Sequence, residues 1–284
     1  PSLWQLEDRL RALQVPTLLV AGDEDAPCLE PSLFLKRTLP DAALCVLPRT
    51  GHLLNLEEPA LFNGIVFGFL TAVEHGLTPD TVREDKPISV KGWQPENYNH
   101  EYFGPVTLTR ALAQSLNTVS VRLTLEITPM AVVRTAYRLG IGSKLEPNAS
   151  IALGTSEVSM LELVGAYASF ANGGYALTPR VIDKIIATNG KVIYARSPPQ
   201  LGRIIEARYV AMMNAMMAET LTIGTAQRAS VPGWPAAGKT GTSQDFRDAW
   251  FIGFTAHLVT SVWLGNDDGT PTKHVTGGSL PVEI

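Results

Sequence analysis

The chain has 284 residues, 45% apolar and 18% charged, with a formal net charge of −4. That balance excludes a disordered chain, and the length leaves room for about two domains with a sizeable core. No basic field invites nucleic acid, and the longest apolar stretch, Gly64 to Val73, is too short to span a bilayer.

No basic segment followed by an apolar run opens the chain, so no signal peptide is visible, and a start at Pro1 is expected of a piece of a longer protein. Ser2 to Leu13 reads as a short amphipathic helix. Val15 to Gly22 is a continuous apolar run, the pattern of a parallel strand buried on both faces. Pro31 to Thr38 is predicted helical, Ala42 to Leu47 is a second strand, and Pro59 stands near the start of a helix running to about Glu74. Strand–helix–strand–helix implies a small parallel α/β sheet. Cys28 and Cys45 form neither a disulfide framework nor a metal site, and the five histidines show no ligand spacing. No metal or cofactor is therefore expected.

Asp25 follows the first strand and His52 lies in the loop after the second, so an acid and a histidine are expected at one rim of the sheet. Spacing alone leaves a solvated acidic loop and a surface histidine as the alternative. The text VPTLLVAGDEDAP, LPRTGHLLNLEEPALFN and FLTAVE, over about residues 10–76, resembles the C-terminal piece of an α/β-hydrolase. The resemblance makes Asp25 the orienting acid and His52 the base, in the chain order of that family. No Gly-x-Ser-x-Gly elbow occurs anywhere in the chain, so this remnant has nothing to activate.

Local patterns change near Gly76, where charge also shifts from net −5 over residues 1–76 to net +1 over 77–284. A boundary is expected there. Leu77 to His100 reads as an irregular lead-in, followed by helices over Val106–Ser115 and Val119–Glu126. Thr128 caps a helix with Pro129 at its first position and Gly140 at its stop. Ser159 and Glu162 form a capping box opening a helix to about Ala171. Asn189-Gly190 between two β-rich runs predicts a hairpin. A Met-rich helix covers Glu206–Leu221, with Met212, Met213, Met216 and Met217 as core. Three strands follow, over 235–243, 249–255 and 258–265, and tight connections make that sheet antiparallel.

Two short motifs carry chemistry. Ser115-Leu116-Asn117 lies between two helices, and Lys239-Thr240-Gly241-Thr242 lies on a predicted strand. An attacking serine is weak unless a base takes its proton, and a lysine one helical turn along can do so if its pKa is depressed. The hydroxyl and amide of a Ser-x-Asn triplet can relay a proton and hold a substrate amide. A cation and hydroxyls along a strand edge suit a substrate carboxylate, with glycine leaving room for it. Alone, Ser-Leu-Asn is an ordinary helix cap and Lys-Thr-Gly a weak signal.

In context both are stronger. WQPENYNHEYFGPVTLTRALAQSLNTVSVRL, IALGTSEVSMLELVGAYASFANGG, AAGKTGTSQDFRDAWFIGFT, VWLGNDDG and TGGSLP make residues 77–284 resemble the transpeptidase domain of class A penicillin-binding proteins. The resemblance implies an α+β penicillin-binding-protein/β-lactamase-like fold, an antiparallel sheet with helices, preceded here by the parallel fragment. It implies acyl transfer in peptidoglycan cross-linking on the periplasmic face of the cell envelope. The implied partners are stem peptides ending in D-Ala-D-Ala, and β-lactams. It makes Ser115, Asn117 and Lys239 catalytic and Thr240, Gly241 and Thr242 substrate-binding, while Asp248 and Trp250 belong to its scaffold.

One element of the family pattern is missing. Its Ser-x-x-Lys motif occurs nowhere in the chain, and the family's spacing puts that serine at Phe62 and that lysine at Ile65. The domain is therefore expected to lack its nucleophile helix and to stop short at Ile284, as a chimera of a hydrolase tail and a transpeptidase. No stable acyl-enzyme is expected. The alternatives are a serine hydrolase remnant, a non-enzymatic module binding stem peptide or β-lactam, and a hybrid without function.

Overall fold

The structure, a computed structural model, describes residues 7–12, 17–22, 26–40, 42–47, 59–61, 64–179, 182, 184–195, 202–229, 231–266, 268 and 270–284. Compactness divides the chain into a smaller unit, Pro1–Pro59 with Asp267–Thr270, and a larger one, Ala60–Asn266 with Pro271–Ile284.

In the smaller unit, helix α1 (Glu7–Arg11) precedes β1 (Thr17–Gly22), α2 (Ala26–Thr38) and β2 (Ala42–Leu47). The apolar runs pair in parallel, in register from Thr17↔Ala42 to Gly22↔Leu47, and α2 packs against both strands. Helix α2 starts five residues before Pro31, so Pro31 lies inside the helix rather than opening it.

The larger unit is built around α3 (Gly64–Glu74), a helix with no charged residue before Glu74. A helix apolar all round has to be buried, and every residue from Gly64 to Val73 is. Its single hydroxyl is satisfied: Thr71 Oγ1 lies 2.7 Å from the Phe67 carbonyl and 2.8 Å from Thr135 Oγ1. The expected helix from Pro59 is corrected here. Pro59–Leu61 forms strand β3, laddered with β6 (Glu157–Ser159), and the helix starts only at Gly64. Residues 60–76, grouped with the first segment by sequence, thus lie in the larger unit.

Around α3 pack α4 (Leu108–Ala113), α5 (Asn117–Ile127), α6 (Pro129–Arg138) and α8 (Ala207–Thr222). Strand β4 (Val82–Asp85) pairs antiparallel with β5 (Gly104–Thr107). The first lies in the expected irregular lead-in, and the second takes Val106 and Thr107, expected to open a helix. Thr107 is instead the N-cap of α4, its side chain accepting from Arg110 N. The anticipated caps are present: Thr128 accepts from Ala131 N ahead of Pro129, and Ser159 and Glu162 form a reciprocal box opening α7 (Met160–Ala171). The Asn189-Gly190 turn joins β7 (Lys184–Ile186) to β8 (Val192–Ala195).

The main sheet is β9 (Ala237–Thr242), β10 (Asp248–Phe254) and β11 (Val259–Gly265), antiparallel in the order β11-β10-β9. Helices α7 and α8 pack on it. Met213, Met216 and Met217 are fully buried, and α3 shares one apolar core with Ala237, Ile252 and Phe254 of the sheet. Among the described residues, no helix is long and apolar enough to cross a membrane.

Candidate active site

Helix α4 ends with a change of hand. Ser115 has φ 58°, Ser115 N donates to Leu112 O (3.2 Å) and Leu116 N donates to Ala111 O (2.9 Å). This pair of bonds is a Schellman stop, whose left-handed position usually holds glycine. Here it holds a serine, and the reversal throws the chain directly into α5. Ser115 thereby sits half-buried at the junction of two helices that both pack on α3.

Lys239 approaches from the sheet. It stands on β9, an edge strand paired only with β10 among the described residues, and is 0% exposed. Its Nζ donates to Ser115 Oγ at 2.7 Å and to the Thr240 carbonyl at 2.8 Å. Burial pushes the ammonium down from the ordinary lysine range to about 7, because desolvation penalises the charged form. The contact spans 124 residues of sequence, so two motifs unremarkable alone meet within hydrogen-bond reach.

Side chains alternate along a strand, so Thr240 and Thr242 lie on the face opposite Lys239. Both hydroxyls have protein partners: Thr240 Oγ1 pairs with Thr225 Oγ1, and Thr242 Oγ1 accepts from Gly277 N at 3.0 Å. A Cβ on Gly277 would come within 2.4 Å of the Gly241 carbonyl, so the Thr276–Ser279 turn lies against β9 as only glycine allows. Gly241 has room for a side chain, the nearest atom being Trp250 Cβ at 3.4 Å. Asn117 opens α5, and its Nδ2 donates to the Glu96 carbonyl at 2.7 Å, not to Ser115 or Lys239. The structure therefore joins Ser115 to Lys239, turns Thr240 and Thr242 to the other face of the strand with partners of their own, and engages Asn117 with the lead-in loop.

Two residues missed in the sequence support this arrangement. Asp85 is 0% exposed and accepts from Asn97 Nδ2 (2.8 and 3.1 Å), Phe103 N (2.9 Å) and Thr118 Oγ1 (2.5 Å). Thr118 N donates to Asn97 Oδ1 at 3.3 Å. This carboxylate stitches the loop holding Glu96 to the first turn of α5. Thr225 holds β9 through Thr240, while its N–H donates to Ala113 O at 3.1 Å, two residues before Ser115. Asn97 and the Gly224-Thr225 pair are visible in the sequence, but nothing local ties them to partners this distant.

Of the two positions of the missing motif, the structure describes one. Phe62 lies outside the described residues, as do Asp25 and His52. Ile65 is 8% exposed and belongs to the apolar core with Leu116 and Val119. A Cβ on Gly64 would meet the Ile151 carbonyl at 1.6 Å, so α3 begins hard against the Ala149–Leu153 turn. A recess of about 390 Å3, lined by Arg83, Lys86, Arg122 and Glu126 among others, shares no residue with the Ser115–Lys239 pair.

Residues 66–268 match the penicillin binding protein transpeptidase domain. Penicillin-binding protein 1A of Neisseria meningitidis is 36% identical over 232 residues, 77% of this chain and 29% of the relative. Penicillin-binding protein 1A of Aquifex aeolicus is 38% identical over 199 residues, 70% of this chain and 27% of the relative. The chain thus spans less than a third of the length of these relatives. The solved structure of the Mycobacterium tuberculosis PonA1 protein in complex with penicillin V superposes with a TM-score of 0.71 at 28% identity, covering 79% of this chain and 66% of that one. With the helix-wrapped antiparallel sheet and the serine–lysine contact, this match makes the chain a member of the penicillin-binding protein transpeptidase domain family.

Proposed function

We propose that the larger unit is a recognition domain for D-Ala-D-Ala-ended stem peptides and for β-lactams as their mimics, working in the cell envelope without the family's acylating serine. The observation that carries this reading is the Lys239 Nζ–Ser115 Oγ contact of 2.7 Å on the edge strand β9. The edge offers unpaired backbone groups to an extended ligand, and Lys239, when protonated, offers a charge-assisted bond to a carboxylate. The penicillin V complex of the similar PonA1 protein supports β-lactams as ligands of this domain. Ser115, Asn117 and Lys239, with Thr240, Gly241 and Thr242, are the residues assigned to ligand contact. Phe62 and Ile65 stand where the family spacing calls for Ser and Lys, so the family's acylation route is closed.

The smaller unit is read as a C-terminal fragment of an α/β-hydrolase. Its parallel β1–β2 pair with α2 between them supports this reading, and the absence of a Gly-x-Ser-x-Gly elbow leaves Asp25 and His52 without a nucleophile. We place the join between this fragment and the transpeptidase domain within residues 60–66, where compactness and the family match both change.

Fluorescent penicillin tests the reading. Reversible binding is expected within minutes, displaced by unlabelled penicillin and weakened at least about tenfold by Lys239→Ala, the loss of one charge-assisted bond. Absence of saturable binding to the folded chain would contradict it.

A further inference from the structure

Ser115 and Lys239 form a pair that can do more than hold a ligand. We propose that Ser115 is itself a nucleophile in this chain, with Lys239 as its general base, and that the pair takes activated acyl and phosphonyl donors. In a protein with the family's own serine such a role would be redundant; here that serine is missing. The proposal concerns the pair alone and goes beyond the binding reading above.

Three features of the geometry carry it. First, Lys239 has two partners, Ser115 Oγ at 2.7 Å and the Thr240 carbonyl at 2.8 Å. A free amine has two N–H donors and one lone pair. It can keep its bond to the Thr240 carbonyl and turn the lone pair to the Ser115 hydroxyl, accepting its proton without any heavy atom moving. Second, Lys239 makes no ion pair among the described residues and is 0% exposed. No carboxylate holds it protonated, and desolvation brings the amine form into reach near neutral pH. Third, Ser115 is half-buried at φ 58°, a conformation that costs a non-glycine residue about 1–2 kcal/mol. Such strain is retained where the surrounding structure over-determines it, and it clusters at reactive sites. In this conformation Ser115 Oγ lies 2.7 Å from Lys239 Nζ.

The step balances. The Ser115 proton passes to Lys239 Nζ as the Oγ–carbon bond forms on an activated acyl carbon. The donor's bond to its leaving group breaks, and the leaving group takes the electron pair. With a fluorophosphonate, Oγ bonds phosphorus, the P–F bond breaks and fluoride departs. A serine–lysine pair is an established alternative to the serine–histidine arrangement on other folds.

The test uses a biotinylated fluorophosphonate on the full chain, with peptide mapping of the label. One adduct on Ser115 is expected in the wild type, absent in Ser115→Ala and slowed about 10²-fold in Lys239→Met, the usual worth of a positioned base. Mapping in the wild type needs no variant to fold. A label on another residue, no label above that of the heat-unfolded chain, or equal labelling of a folded Lys239→Met would each overturn the proposal. Labelling without penicillin binding supports the pair and fails the binding reading. Penicillin binding without labelling does the reverse.

Discussion

Strand β9 and helix α3 meet in the same core with opposite chemistry. Lys239 is buried on β9 at a desolvation cost large enough to bring its ammonium to about 7, and both its hydrogen bonds are made. Helix α3 buries every residue from Gly64 to Val73 and has only one buried hydroxyl to satisfy. An apolar helix is a scaffold on its own terms and tolerates any apolar residue that fits. A buried lysine is stable only while its acceptors stay in place. The Ser115–Lys239 contact is thus present in a chain whose sequence has no Ser-x-x-Lys motif.

The largest expected effect concerns Lys239 as a base. Fluorophosphonate labelling of Ser115 should rise about tenfold per pH unit below 7 and level off above it, as the amine form accumulates. A flat profile across that range would place the base elsewhere and dissolve the contrast between strand and helix.

Next comes the cost of burying the same group. A lysine whose folded pKa lies below its unfolded one destabilises the fold wherever the unfolded chain binds the extra proton more readily. The cost is full below about 7 and disappears as pH rises past the ordinary lysine range. Lys239→Met should therefore raise the thermal midpoint at pH 6, and the gain should shrink steadily toward pH 10. A gain that does not change with pH would mean the lysine keeps its ordinary pKa in the fold, as a well-hydrated ammonium does.

Asp85→Asn sharpens the comparison from the other side. It sets an amide among donors that now face a carboxylate, those of Asn97, Phe103 and Thr118. A loss of about 2–3 kcal/mol in denaturant unfolding is expected, with weaker penicillin binding as the Glu96–Asn117 contact loosens. The smallest effect is at the serine itself. Ser115→Gly relieves left-handed strain of about 1 kcal/mol but removes one of the two acceptors of Lys239, so unfolding stability should stay within about 1 kcal/mol of wild type while all labelling ends. A loss of more than about 2 kcal/mol would show the Lys239 bond to outweigh the strain.

How far these features could be read in advance depended on their range. The caps at Thr128 and Ser159, the Asn189-Gly190 hairpin and the three strands of the main sheet obey local rules. Strands β4 and β5 do not. Only Asp85 and Val106 of their eight residues are buried, so no alternation marks them, and they pair across the intervening lead-in loop. Pro59 suggested a helix start by its preference for a first turn, yet a three-residue strand formed instead. In the site, Ser115 and Lys239 were legible as motifs. Their supports, Asp85 and Thr225, were not, because each acts only through residues brought near by folding.

The most direct test of the account restores what it says is missing. Phe62→Ser with Ile65→Lys should turn reversible penicillin binding into rapid stoichiometric acylation at position 62, read by intact mass and peptide mapping. The wild type under the same conditions should show only bound ligand and, at most, slow modification of Ser115. Failure of the folded double variant to acylate, or equally rapid acylation of the wild type, would contradict the claim that this domain keeps its recognition site and lacks only the family's nucleophile.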